Sequence, residues 1–162
     1  MRMMTRLSLA ALGLALAAAP ALADEQPVAP YAIADANAGT EPIKGQAVFD
    51  AFQGLAGVGR IVDSLIVAYR TDPRLIDIFR AADFERLSRL LKEQFCYVLG
   101  GPCHYTGRAM ADVHKDMGIQ TRDFGALVED LQAAMRKEGV PFWAQNRLLA
   151  KLAPMKRSVV TR

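Results

Sequence analysis

Both histidines of the chain and one of its two cysteines fall in "GGPCHYTGRAMADVHKDMGI", residues 100–119. His114 recurs at helical spacing with Met110, Val113 and Met117, so it lies on the apolar side of a short helix. A buried imidazole needs a partner for each nitrogen. Two readings are open. His114 is a core histidine bonded to a carbonyl, or it gives one nitrogen to the iron of a flat apolar cofactor, with Leu87 and Leu91 lining the opposite side. His104 sits between Cys103 and Tyr105 on a turn, where a surface position is expected.

Other chemistries lack their residues. There is no G-x-S-x-G elbow, P-loop or H-E-x-x-H. Cys103 and His104 are adjacent, and neighbouring side chains point apart, which is poor geometry for a Cys–His nucleophile. Carboxylates paired on one apolar face are missing, and two cysteines without a C-x-x-C pair make a poor zinc site. Lys and Arg alternate with acids, so no nucleic-acid surface is expected. Cys96 and Cys103 flank Gly100-Gly101-Pro102; a turn there can bring them within bridging distance, or they remain two half-buried thiols.

The elements that must hold these residues are helices; no strand alternation of useful length occurs. Val58, Ile61, Val62, Leu65, Ile66 and Tyr69 share one face, and Asp72-Pro73 stops that helix. Asp83 caps a helix whose stripe is Phe84, Leu87, Leu90, Leu91, Phe95 and Val98. After the short helix of His114, closed by Gly118, Thr121 caps a helix with Phe124, Leu127, Val128, Leu131, Ala134 and Met135 on one side. Pro141 opens the last helix, with Trp143, Leu148, Leu149, Leu152 and Met155. The expected class is all-α.

Residues 1–23 read as a secretory signal peptide: Arg2 and Arg6, the apolar run Leu7 to Ala19, then Ala21-Leu22-Ala23. Export, to the periplasm, is the expectation, with membrane attachment only through an uncleaved signal. Two of the cations behind the formal charge of +3 thus belong to the signal. Residues 24–45 carry Pro27, Pro30 and Pro42 without periodicity and read as a poorly ordered arm. Residues 46–157 are the expected domain, and 158–162 a tail.

From Phe49 to about Met155 the chain resembles the group I truncated haemoglobins, globins with a two-over-two helical sandwich. The resemblance is carried by Leu99-Gly-Gly-Pro102, Tyr105-Thr-Gly107, Met110, His114, Gly118-Ile119 and Phe124. Phe79 after "DPRLIDI" and the opening "FDAFQGLAGVGRIVDSL", with Gly54 alone of the family's glycine pair, add to it. "EQFCYVLGGPCHYTGR" and "LLAKLAPMKRSVVTR" are similar to exported members with a cysteine on each side of the Gly-Gly-Pro turn, which implies a Cys96–Cys103 disulfide.

The resemblance implies haem b, iron ligation by His114, and macrocycle packing by Phe79, Phe95, Met110 and Val113, with Tyr105 near a propionate. It implies diatomic ligands (O2, NO, CO), an unidentified reductant, and NO dioxygenase or peroxidase-like turnover as the enzymatic options. The family's distal tyrosine falls on Ile66 and its distal glutamine on Leu91, with Leu87 facing the iron. That implies an apolar distal pocket favouring NO or redox chemistry over oxygen storage, unless Gln94 or Tyr69 enters. Leu90 stands where a propionate-pairing lysine is common, with Arg86 or Arg89 as substitutes. The alternative without a cofactor is an exported helical interaction module.

Overall fold

The structure is a computed structural model, and it describes residues 25–162. The signal peptide expected in residues 1–23 lies outside the described residues. The chain runs α1 (Ala47–Ala51), α2 (Gly54–Thr71), α3 (Ile76–Phe79), α4 (Phe84–Val98), α5 (Met110–His114), α6 (Thr121–Lys137), α7 (Phe142–Leu152) and α8 (Lys156–Val159). Short 3-10 turns precede α1 (Asp35–Ala38) and α8 (Ala153–Met155). No strand occurs among the described residues, and no helix there is long and apolar enough to cross a membrane.

The long helix α2 packs against both α4 and α6. Val58, Ile61, Val62, Leu65 and Tyr69 are spaced to fall on one side of it, and all are buried. Removing that apolar stripe from water is the main source of stability in such a layer. The helix ends at Thr71: the Asp72 N–H still bonds to the Ala68 carbonyl, but Pro73 then disfavours helical backbone at Asp72. Asp83 caps α4 as expected, its carboxylate accepting from the Arg86 N–H at 3.1 Å.

At the end of α4 the chain reverses through Gly100, whose φ of +84° suits glycine. A side chain there would also strike the Ile43 carbonyl, since an added Cβ would lie 2.4 Å away. Directly beyond, Cys96 and Cys103 form a disulfide, their Cα atoms 5.8 Å apart.

Several expectations need correction. Residues 25–45 are not a loose arm. The Ile43 N–H donates to the Val98 carbonyl (2.8 Å), the Tyr31 hydroxyl to the Thr106 carbonyl (2.9 Å), and Ala38 is fully buried. These partners lie far away in sequence, so periodicity could not announce them. The tail is not free either: Val159 is buried, and the Thr161 and Arg162 N–H groups donate to the Ile119 carbonyl.

The N-terminal cap of α6 is Gln120 rather than Thr121. The Asp123 carboxylate folds back to accept the Gln120 N–H at 2.8 Å. Trp143 and Phe142 open α7 on its outer side and are exposed, 51% and 73%. Leu148, one turn and more along the same helix, carries the burial instead.

Candidate functional site

Helices α2, α4, α6 and α7 each turn apolar residues toward one cavity of about 220 Å³, and α5 closes it from the side. Its wall includes Tyr69, Phe79, Leu87, Leu91, Phe95, Met110 and His114, with Phe124, Leu127 and Leu131 from α6 and Leu149 and Leu152 from α7. The amphipathic spacing of α4 accounts for its share: Leu87, Leu91, Gln94 and Phe95 fall on one side of the helix.

His114 is the last residue of the five-residue helix α5. Its Nδ1 lies 2.7 Å from the carbonyl oxygen of Met110, one turn back. A carbonyl can only accept, so Nδ1 carries the proton and Nε2 keeps the lone pair. Burial holds the basicity of the ring below the usual imidazole range, partly offset by the bond to Met110. A neutral imidazole with a lone pair on Nε2, on a side chain lining an apolar cavity, is the form that binds a metal.

Six of the nine expected pocket residues are on the wall, including two of the three expected on the distal side. Phe79, Leu87, Leu91, Phe95, Met110 and His114 line the cavity. Val113 does not: it is 40% exposed, because α5 is too short and too far to one side for positions 110, 113, 114 and 117 to face inward together. Met117, after the helix has ended, is likewise exposed.

Tyr105 is buried but lies outside the cavity wall, against Gly107 and with its hydroxyl 3.4 Å from the Arg108 carbonyl. Ile66 is half-buried against the core and is not part of the wall. Tyr69, three residues on, takes the inward position and stacks on Phe79. Burial first, and then the negative charge of Asp130, push the Tyr69 phenol well above its usual range, so it stays an O–H donor.

Gln94 also lines the cavity. Its amide nitrogen donates to the Ala38 carbonyl at 2.9 Å and lies 3.3 Å from the Met110 sulfur. Gln94 and Tyr69, the two residues whose entry into the pocket the sequence leaves open, are thus both on its wall, each three residues on from a position expected to face inward, Leu91 and Ile66. Met155 and Val159 also line the cavity, and Val159 lies beyond the boundary expected for the domain. Arg86 and Arg89 are engaged elsewhere: Arg89 meets Glu25 at 2.5 Å and Glu93 at 2.8 Å, and Arg86 bonds to the Gln26 carbonyl. His104 is exposed, as expected, with Nδ1 2.9 Å from the Asp35 carboxylate.

Comparison with known proteins agrees with this frame. Residues 47–161 match the bacterial-like globin family. Group 1 truncated hemoglobin GlbN of Mycolicibacterium paratuberculosis is 30% identical over 114 residues, which is 70% of this chain and 84% of that protein. A group 1 truncated hemoglobin of Tetrahymena thermophila is 31% identical over 97 residues, 60% of this chain and 80% of the relative.

Among solved structures, the truncated hemoglobin from Tetrahymena pyriformis in its Fe(III) form superposes with a TM-score of 0.68 at 23% identity, covering 71% of this chain and 98% of that one. The 2/2 hemoglobin from Synechococcus sp. PCC 7002, with covalently attached heme, gives 0.66 at 21%, with the same coverage. The all-α architecture is therefore that of the two-over-two globins, and this chain belongs to the bacterial-like globin family, among the group 1 truncated haemoglobins.

Proposed function

We propose that this chain binds haem b in the cavity, with His114 Nε2 as the protein's ligand to iron, and that it takes up diatomic gases there. The observation that carries this reading is the Nδ1 bond from His114 to the Met110 carbonyl. It fixes the tautomer, orients the ring and raises the basicity of the free nitrogen.

The donor set supports a macrocycle rather than a bare ion. Among the described residues no three His, Cys, Asp or Glu side chains cluster to hold a metal. A metal at His114 must bring its other ligands with it, and the wall around His114 is almost wholly apolar, as a porphyrin requires. The cavity is smaller than the roughly 300–1,000 Å³ of common small-molecule sites. A planar group of that size enters by displacing the half-buried Leu87, Leu91 and Leu152 at the rim and the unbranched Met155, which repacks easily.

When bound, haem supplies an iron whose open position takes O2, NO or CO. The chain's own residues do the rest. Phe79, Phe95 and Phe124 exclude water from the cavity, and His114 holds the iron side. Gln94 has already given its amide hydrogens to Ala38 and the Met110 sulfur. Tyr69 is then the lining side chain that donates to a polar ligand. This replaces the donor-free pocket expected from Ile66 and removes the ground for favouring NO over oxygen. The disulfide fits the oxidising, periplasmic compartment that the export signal implies.

An optical spectrum tests the reading. Purified, haem-supplemented protein shows a Soret band, His114→Gly loses it, and added imidazole restores it. A well-folded preparation that stays colourless overturns the reading in favour of a helical interaction module without haem.

A further inference from the structure

The family match begins at residue 47, so the docked segment 25–45 lies outside it. That segment is fastened along its whole length. The Gln26 N–H donates to the Asp83 carboxylate at 2.8 Å, and Glu25 meets Arg89. The Asp35 carboxylate takes the Tyr105 N–H and approaches His104 Nδ1, both at 2.9 Å. Asn37 donates to the Gly107 carbonyl at 3.0 Å. Residues 104–107, which receive most of these bonds, follow directly on the disulfide at Cys103.

What the segment delivers to the interior is Ala38-Gly39. The Ala38 carbonyl accepts the Gln94 amide, and Gln94 lies against the Met110 sulfur. Gly39 passes so close to Met110 that an added Cβ would lie 2.8 Å from its Cγ, at a φ of +87°. Met110 is the residue whose carbonyl holds His114 Nδ1. The helix that carries both has five residues, far too few to be stable unaided, and its packing among the helices is on α8. Its other flank meets Ala38-Gly39 through Met110.

We infer that segment 25–45 is a positioning element for the His114 imidazole: Gly39 and Gln94 fix Met110, and Met110 fixes the ring and its tautomer. The inference rests on His114 being the iron ligand for its functional weight, but the positioning itself holds in the haem-free chain.

The test uses the full chain in three single variants: Gly39→Val, Gln94→Leu, and Asp35→Ala, which loosens the segment without touching Met110. In haem-free protein labelled with 15N, the wild-type His114 ring shows one tautomer, protonated at Nδ1. Each variant shows a mixture. In haem-loaded protein the ferrous iron–histidine stretching band shifts and haem loss quickens on the order of tenfold or more, as outer partners of a metal-bound histidine do. Met110→Ala in the Gly39→Val background opens space and restores the single tautomer.

An unchanged tautomer in folded Gly39→Val or Asp35→Ala protein overturns the inference. If Gly39→Val does not fold, the Asp35→Ala and Gln94→Leu spectra decide alone. Failure of the wild type to take up haem overturns the proposed function instead, and the haem-free spectra still judge the positioning.

Discussion

The ring of Tyr69 lies flat on that of Phe79, with centroids 4.4 Å apart and planes 4° from parallel. The stack seats the Tyr69 ring on the cavity wall, while Ile66 packs against the core. The α2 residue on the wall is therefore three positions on from the one the family resemblance implies.

Tyr69→Phe keeps the ring stack and removes only the hydroxyl. Haem uptake stays unchanged, and oxygen release quickens by roughly tenfold to a hundredfold, since a desolvated donor contributes about 1–3 kcal/mol. Ile66→Val, outside the wall, leaves the rate within about twofold of wild type. Flash photolysis or stopped-flow mixing measures both, and an unaffected Tyr69→Phe rate shows that the hydroxyl points elsewhere.

Haem-free protein loses stability as the pH falls below about 6.5, the ordinary imidazole value. There the unfolded chain takes a proton on His114, while the folded chain, whose imidazole is held lower chiefly by burial, does not. The unfolded state binds more protons in that window, so the loss grows until the folded-state value is passed and then levels off. Urea titrations across about pH 4 to 8, a range that spans the ordinary imidazole value, on wild type and His114→Gln separate this contribution. A wild-type slope equal to that of the variant refutes it.

Reducing the Cys96–Cys103 bond, or replacing both cysteines with alanine, opens a loop of sequence separation 7. The chain-entropy model gives a loss of about 2–3 kcal/mol for so short a loop. Denaturation midpoints with and without reductant measure it. A midpoint that does not move shows that the bridge adds nothing to stability.

Leu65→Ala, at a fully buried position on α2, costs about 2–5 kcal/mol through lost burial and the cavity left behind. Val113→Ala and Trp143→Ala, at exposed positions, stay within about 0.5 kcal/mol of wild type. A large loss at Val113 would mean that α5 packs its other side inward.

The helical class, the boundaries at Asp72-Pro73 and Gly100-Gly101-Pro102, the α4 cap at Asp83 and the place of His114 on a short helix were all readable from residue types and spacing. Each is local: a proline restricts its neighbour, a carboxylate reaches an N–H three residues on, and an apolar stripe repeats every three or four positions. The sequence by itself therefore determined where the long helices run and which sides of α2, α4 and α6 carry the core.

Tertiary structure decided what lies opposite what. Tyr69 replaces Ile66 in the wall because the rotation of α2 is set by its packing between α4 and α6. Val113 turns outward because a five-residue helix takes its orientation from α8 and the 25–45 segment, not from its own stripe, and Met117 lies beyond its end. That segment's docking rests on bonds to partners more than 50 residues away, such as Gln26 to Asp83 and Ala38 to Gln94. Such bonds leave no period in the chain, because their energy depends on where distant backbone groups come to rest.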